Sequence, residues 1–249
     1  MKSLAIRILN SVGIGVFSQA RAEMLLNIEQ DSWELTELAL NNLGLSSVGR
    51  GQLKQDLFVL IETGFKRDGF FVEFGATNGV DLSNTWLLEK EYGWTGILAE
   101  PASVWHKELV QNRDAVIEEK CVWSRSGERV QFNIADEGEY STIDGFGKSD
   151  KNDKHRISRN VQSVETISLQ DLLLKHSAPK KIDYLSVDTE GSEYEILQAF
   201  DFSQFSFGVI TVEHNFTEAR QKIHSLLSSK GYTRRFDGLS RWDDWYTKR

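Results

Sequence analysis

Two spacings of apolar residues share this chain, and the switch between them predicts its elements. Up to about residue 66 the spacing is helical. Asp31 with Glu34 forms a capping pair ahead of "LTELALNNLG", and Gly44 stops that helix. "QLKQDLFVLIETG" sets Leu53, Leu57, Leu60 and Ile61 on one face, with Gly64 as the stop. From residue 69 strands and helices alternate. In "GFFVEFG", Phe70, Phe71, Val72 and Phe74 form a nearly unbroken apolar run, the mark of a strand buried on both faces. Helix "LSNTWLLEKEYG", strand "TGILAEP" ended by Pro101, and helix "ASVWHKELVQN" follow. "AVIEEKCVWS" and "ERVQFNIA" read as two further strands.

Residues 136–160 are polar, glycine-bearing and without period, a long loop of the kind that often serves as a functional lid. "VQSVETI" is a strand, and Ser168 with Asp171 opens a helix. Strand "IDYLSVD", helix "SEYEILQAF", strand "FGVITVEHN" and helix "TEARQKIHSLLSSKG" complete the alternation. The tail holds short strands, expected to run antiparallel at the sheet edge. The pattern predicts an α/β fold, a doubly wound, mostly parallel sheet with an antiparallel edge strand, preceded by helices. The expected division is a helical cap or dimerisation segment over residues 1–66 and a ligand-binding domain over 67–249.

Composition narrows the partners. The 249 residues carry a net charge of -8, which argues against nucleic acid, whose binders need a concentrated positive face. A single cysteine, Cys121, allows neither an intrachain disulfide nor a cysteine-cluster metal site, and a cytoplasmic setting fits. "MKSLAIRILNSVGIGVFSQARA" has the outline of a secretory signal, but Asn10, Ser11, Gly13 and Gly15 dilute its apolar middle. An amphipathic helix docked on the body or on a partner is favoured, with a membrane-surface anchor as the alternative.

The candidate chemistry gathers where these strands end, because ligands of open α/β sheets bind beyond the carboxyl ends. Glu73 and Gly75 end the first strand, Glu100 the second; Asp188 and Glu190 follow "IDYLSV", and Glu213, His214 and Asn215 follow "VIT". Glu73 interrupts an apolar run, so its carboxylate needs a partner. Glu100 stands about two dozen residues past the glycine turn, where an acid can accept from both ribose hydroxyls. "GATNG" lacks the middle glycine of the dinucleotide signature, so a nucleoside without phosphates fits better. S-adenosylmethionine is one, and its positive charges suit an acidic rim.

"FVEFGATNGVDLSNTWLLEKEYGWTGILAEP" with "IDYLSVDTEGSEYEIL" resembles the FkbM family of S-adenosylmethionine-dependent methyltransferases, over about residues 69–215. The glycine turn joined to "DTEGSE" is the specific part. The resemblance implies a class I methyltransferase sheet of seven strands and O-methylation of sugar or polyketide-like hydroxyls. By position, Glu73, Gly75 and Gly79 would line the methionine part of the cofactor, and Ala76, Thr77, Asn78, Ser83 and Asn84 would also belong to the cofactor site. Glu100 would hold the ribose, Cys121 and Val122 would lie near the adenine, and Pro101 and Asp188 would complete the site. Many members read D-x-G-A-N-x-G, so the longer Glu73 and the displaced Asn78 leave open which side chain meets the methionine carboxylate.

Methyl transfer to a hydroxyl requires alignment and removal of a proton, by a base or with help from a bound cation. The expectation is that Asp188, Glu213 and His214 hold Mg²⁺ or another divalent cation, with Glu190 as the base. His214 suits a softer metal or proton transfer better, and residues adjacent on a strand point to opposite faces. Glu193 is read as structural, a first-turn helix acid. Tyr140, Ser141 and Thr142 would close over the acceptor by the family's similar stretch, and Trp242 and Trp245 are candidates to stack on a glycan. The acceptor is expected to be a small molecule or glycan, with a homodimer through the N-terminal helices as a further expectation. The rivals are methyl transfer to another nucleophile, such as an amine, and a methyltransferase-like protein that binds or traffics without chemistry.

Overall fold

A computed structural model describes residues 47–135, 141–143, 159–236 and 240–248 of the chain. The helix expected before Gly44, the N-terminal amphipathic segment and Tyr140 lie outside the described residues. The main sheet contains β1 (Phe70–Phe74), β2 (Thr95–Ala99), β3 (Val116–Glu118), β8 (Lys181–Val187), β9 (Ser206–Glu213), β10 (Thr233–Arg235) and β11 (Asp243–Thr247). Its order is β10-β11-β9-β8-β1-β2-β3. Strands β3, β2, β1, β8 and β9 are parallel, and β11 runs antiparallel between β9 and β10. The reversed strand is therefore one place in from the edge, and β10 occupies the edge itself. Strand order reverses at β1, which starts the outward walks to β2 and to β8, the place where such sheets bind ligands.

Helices cover both faces. On one, α4 (Leu169–Lys175), α5 (Glu193–Ala199) and α6 (Ala219–Ser229) pack against Val72, Phe74, Leu185 and Ile210. On the other, α1 (Gln55–Glu62), α2 (Trp86–Tyr92) and α3 (His106–Asn112) pack against Phe71, Leu98, Tyr184, Val209 and Trp245. Leu57, Phe58, Val59 and Leu60 of α1 have no exposed surface, each contributing about 1.5–3 kcal/mol by burial. Phe58 stacks on Trp245 with ring centroids 4.7 Å apart, and Gln55 Nε2 donates to Asp243 at 2.7 Å. Residues 55–62 thus belong to the sheet's own core, and the boundary expected at residue 66 does not separate them from it. Trp245 is spent in that core and is no glycan platform.

A second sheet of four strands, β4 (Cys121–Trp123), β5 (Arg129–Ala135), β6 (Thr142–Ile143) and β7 (Arg159–Ser168), has the order β4-β7-β5-β6. The run "AVIEEKCVWS", expected as one strand, divides between the two sheets: β3 closes the main one and β4 opens the other. Phe132, Ile134, Ile143 and Val164 pack there with Ala102 and Cys121, fixing the second sheet beside the carboxyl end of β2. Among the described residues no helix is long and apolar enough to cross a membrane.

Candidate active site

The acid inside β1 has its partners. Glu73, 2% exposed, accepts from the Asn84 backbone N–H at 2.7 Å, from Ser83 Oγ and from Thr85 Oγ1. Arg113, fully buried at the end of α3, stands 3.8 Å from Glu73 and binds Glu89, the Gly79 carbonyl, Ser83 and Thr85. Burial still raises the Glu73 carboxyl above its usual range, opposed by Arg113 and these donors. Helix α2 begins at Trp86 rather than within "LSNT", where the Ser83 and Thr85 hydroxyls and the Asn84 backbone N–H are committed to Glu73.

The glycine turn brings two strand ends together. Gly75 has φ +73°, and a Cβ there would stand 2.3 Å from the carbonyl oxygen of Asp188. Only glycine fits that approach. Asn78 Oδ1 accepts from the Val80 and Asp81 N–H groups, and Ala76 is buried in the core. Ala76, Asn78, Gly79 and Ser83 therefore build the turn, while Glu73, Gly75, Thr77 and Asn84 line the cavity above it.

The cavity has one end lined by an acid and apolar residues and another that is polar. At the first, Glu100, Pro101, Cys121 and Val122 meet Phe132 and Ile143 of the second sheet. Glu100 accepts from Thr77 N at 2.9 Å and Ala102 N at 2.8 Å, and burial pushes its pKa up to about 7. The His106 ring bonds the Glu100 carbonyl at 2.8 Å. Burial pushes the Cys121 thiol up to about 12, so it packs as a small hydrophobe. At the polar end are Gln52, Gln55, Asn84, Asp188 and Glu190.

Three carboxylates converge beside that polar end. Asp188, Glu190 and Glu213 each offer an oxygen within 4.8 Å of the others. Burial first, then the neighbouring carboxylates, raise Asp188 and Glu213 well above the usual range. Glu213 Oε2 is buried without a hydrogen-bond partner. Glu190 adopts φ +57°; its carbonyl accepts from Thr142 Oγ1 at 2.9 Å, and its Oε2 faces Asn215 Nδ2 at 3.4 Å. Glu193 Oε1 accepts from the Thr189 and Gly191 N–H groups, so it shapes the loop, as a structural residue should.

His214 does not join the group. β9 ends at Glu213, and the chain turns so that His214 Nδ1 accepts from Phe216 N at 3.0 Å. Its Nε2 faces Asp244 at 3.6 Å, too long for a hydrogen bond. Of the three residues expected to converge, Asp188 and Glu213 do so, but their third neighbour is Glu190 and not His214, whose Nδ1 is committed to Phe216 N beyond the strand end. Trp242 lies nearby, its Nε1–H reaching Gln52 Oε1 at 3.2 Å. Gln52, Gln55, Arg113 and Phe132 were not singled out in the sequence; each reaches the site from a distant segment, and no local motif marks it.

A parallel sheet with a reversal at β1, an antiparallel strand set one place in from its edge, a glycine turn pressed against the β8 end and a buried acid at β2 make a Rossmann-like sheet of the class I methyltransferase type. The family model for the methyltransferase FkbM domain matches residues 73–234, more than half of the chain. The chain belongs to the FkbM methyltransferase family. No curated protein matches it. Among solved structures it is similar to precorrin-6y C5,15-methyltransferase from Geobacter metallireducens, with 14% identity, TM-score 0.40, and 72% of this chain and 71% of that one covered. A putative RNA methyltransferase from Pyrococcus horikoshii shows 12% identity and TM-score 0.38, covering 79% and 82%. The fibrillarin/Nop5p complex shows 13% identity and TM-score 0.38, covering 80% and 81%. These likenesses are distant, and the fold rests on the strand order.

Proposed function

We propose that this methyltransferase methylates a sugar hydroxyl of a glycan or glycosylated metabolite, assisted by a divalent cation at Asp188, Glu190 and Glu213. The observation that carries the cation is the convergence of the half-buried Asp188 with the buried Glu190 and Glu213, with Glu213 Oε2 unpartnered. Carboxylates packed this closely repel unless a proton or a cation stands between them. Oxygen donors alone suit a hard ion such as Mg²⁺. A polar wall of Gln52 and Gln55, with Trp242 beside Gln52, suits a hydroxylated acceptor.

The cofactor supplies an electrophilic methyl group on a sulfonium. Glu100 would grip the ribose diol, and the Gly75–Asp188 approach would leave room for the methionine part. Glu190, held at the rim by Thr142 and Asn215, would take the acceptor proton. Asp188 and Glu213 lie within hydrogen-bonding reach of each other, so a proton between them relieves their repulsion when no cation is bound. The test is methyl transfer from labelled cofactor to a panel of sugars and matched amines, with and without EDTA. Sugar methylation that EDTA stops and Mg²⁺ restores is expected. Activity untouched by EDTA would remove the cation, and preference for amines would remove the sugar.

A further inference from the structure

Two glutamines at the polar end of the cavity are used differently. Gln55 has both ends of its amide engaged: Nε2 donates to Asp243 Oδ2 at 2.7 Å, and Oε1 accepts from Leu53 N at 2.8 Å. It ties the wall together. Gln52 is exposed, lines the same end, and is oriented by the Trp242 Nε1–H, which donates to its Oε1 at 3.2 Å. An indole N–H can only donate, so the amide oxygen must be the end that faces it. The Nε2 hydrogens are left to donate to a ligand. Asp56, buried in α1, prepares this presentation: its Oδ2 accepts from the Arg50 and Gly51 N–H groups at 2.6 and 3.2 Å, fixing the loop that carries Gln52. Trp242 also ties Gln52 to the carboxylates. Its carbonyl accepts from His214 N at 2.8 Å and Asn215 N at 3.2 Å, just past Glu213, and Asn215 Nδ2 faces Glu190. Asn215 and Phe216 both hold left-handed backbone there, at φ +45° and +57°, strain of the kind that gathers at functional sites. A hydroxyl delivered to Glu190 therefore has Gln52 in the same wall.

We infer that Gln52 reads the acceptor: its Nε2, held in that sense by Trp242, donates to a sugar oxygen that flanks the methylated hydroxyl. Resting on the sugar reading above, this narrows the acceptor to sugars that carry an oxygen beside the reacting position. An amide donates without charge, which suits a neutral hydroxyl or ring oxygen, and the carboxylates of Asp188 and Glu190 in the same wall disfavour an acidic sugar.

The experiment measures KM and kcat on a panel of methyl hexosides and their monodeoxy analogues, with calorimetry of S-adenosylhomocysteine alongside. Wild-type protein should favour the parent sugar over the analogue lacking the flanking oxygen by about three- to tenfold in kcat/KM, the worth of one uncharged hydrogen bond. Gln52→Ala should erase that preference by raising KM for the parent, while S-adenosylhomocysteine binds as before. Gln52→Glu keeps the oxygen that Trp242 needs but has no N–H to give, so it should fail as alanine does; it also serves if the alanine variant does not fold. A glutamate variant that behaves as wild type would show that Gln52 merely props Trp242, and would overturn the assignment. So would a preference that survives Gln52→Ala, or an equal loss of S-adenosylhomocysteine affinity. Each of these leaves sugar methylation standing. Wild-type protein that binds S-adenosylhomocysteine yet methylates no sugar of the panel would overturn both.

Discussion

Glu73 and the trio of Asp188, Glu190 and Glu213 stand along one edge of one sheet, yet the chain equips them differently. Glu73 is surrounded by donors and by the Arg113 guanidinium, all supplied from within the protein. Asp188 and Glu213 are instead raised by burial and by one another, and Glu213 keeps a buried oxygen without a partner. An acid satisfied internally is scaffolding. Acids crowded together at a cavity wall are held there at a cost to the fold, and function is the usual reason for retaining them.

The contrast is broken most severely at Arg113. Arg113→Ala leaves Glu73 and Glu89 buried without their cation, and urea denaturation should show a loss of roughly 3–5 kcal/mol. Asp188→Asn should act in the opposite sense. The thermal midpoint of the unliganded protein should rise as a repulsion is removed, while methyl transfer falls by roughly 10²–10⁴-fold.

Glu100 sharpens the comparison through pH. Its carboxyl is raised from 4.5 to about 7 by burial, so the unliganded folded chain holds that proton more tightly than the unfolded chain. The sign follows: this group makes the unliganded protein more stable as pH falls from about 7 toward 4.5. Ligand hydroxyls prefer the ionised acid, so S-adenosylhomocysteine affinity should drop by up to about tenfold per pH unit below 7. Calorimetry across pH 5.5–8 checks this, and Glu100→Gln should flatten the profile.

The smallest expected effect is at Thr142, whose hydroxyl holds the Glu190 carbonyl in its left-handed turn. Thr142→Val should cost about 1 kcal/mol, read as a roughly fivefold loss of Mn²⁺ affinity, with Thr142→Ser close to wild type.

Much of this was legible along the chain because the signals are local. The buried run around Val72 needed to be a central strand, and Ser168 caps α4 by accepting from Asp171 N, as its spacing required. Glu73 demanded a partner, but the sequence could not show that Arg113, 40 positions on, would supply one, because α3 brings it back over the turn. The second sheet escaped notice since only two residues separate β3 from β4, so the stretch reads as a single strand, and only the pairing of Cys121 with Thr166 reveals the break. His214 was misplaced for a related reason: Phe216 N, which donates to its Nδ1, lies in the turn after β9, which no pattern along the chain marks.

The most direct measurement is a titration of the purified protein with Mn²⁺, followed by electron paramagnetic resonance, alongside Glu213→Gln. The account predicts one saturable site per chain that the substitution abolishes while the fold survives. Wild-type protein that leaves Mn²⁺ free in solution, or a variant that binds it equally well, would contradict the claim that these carboxylates are kept for a cation.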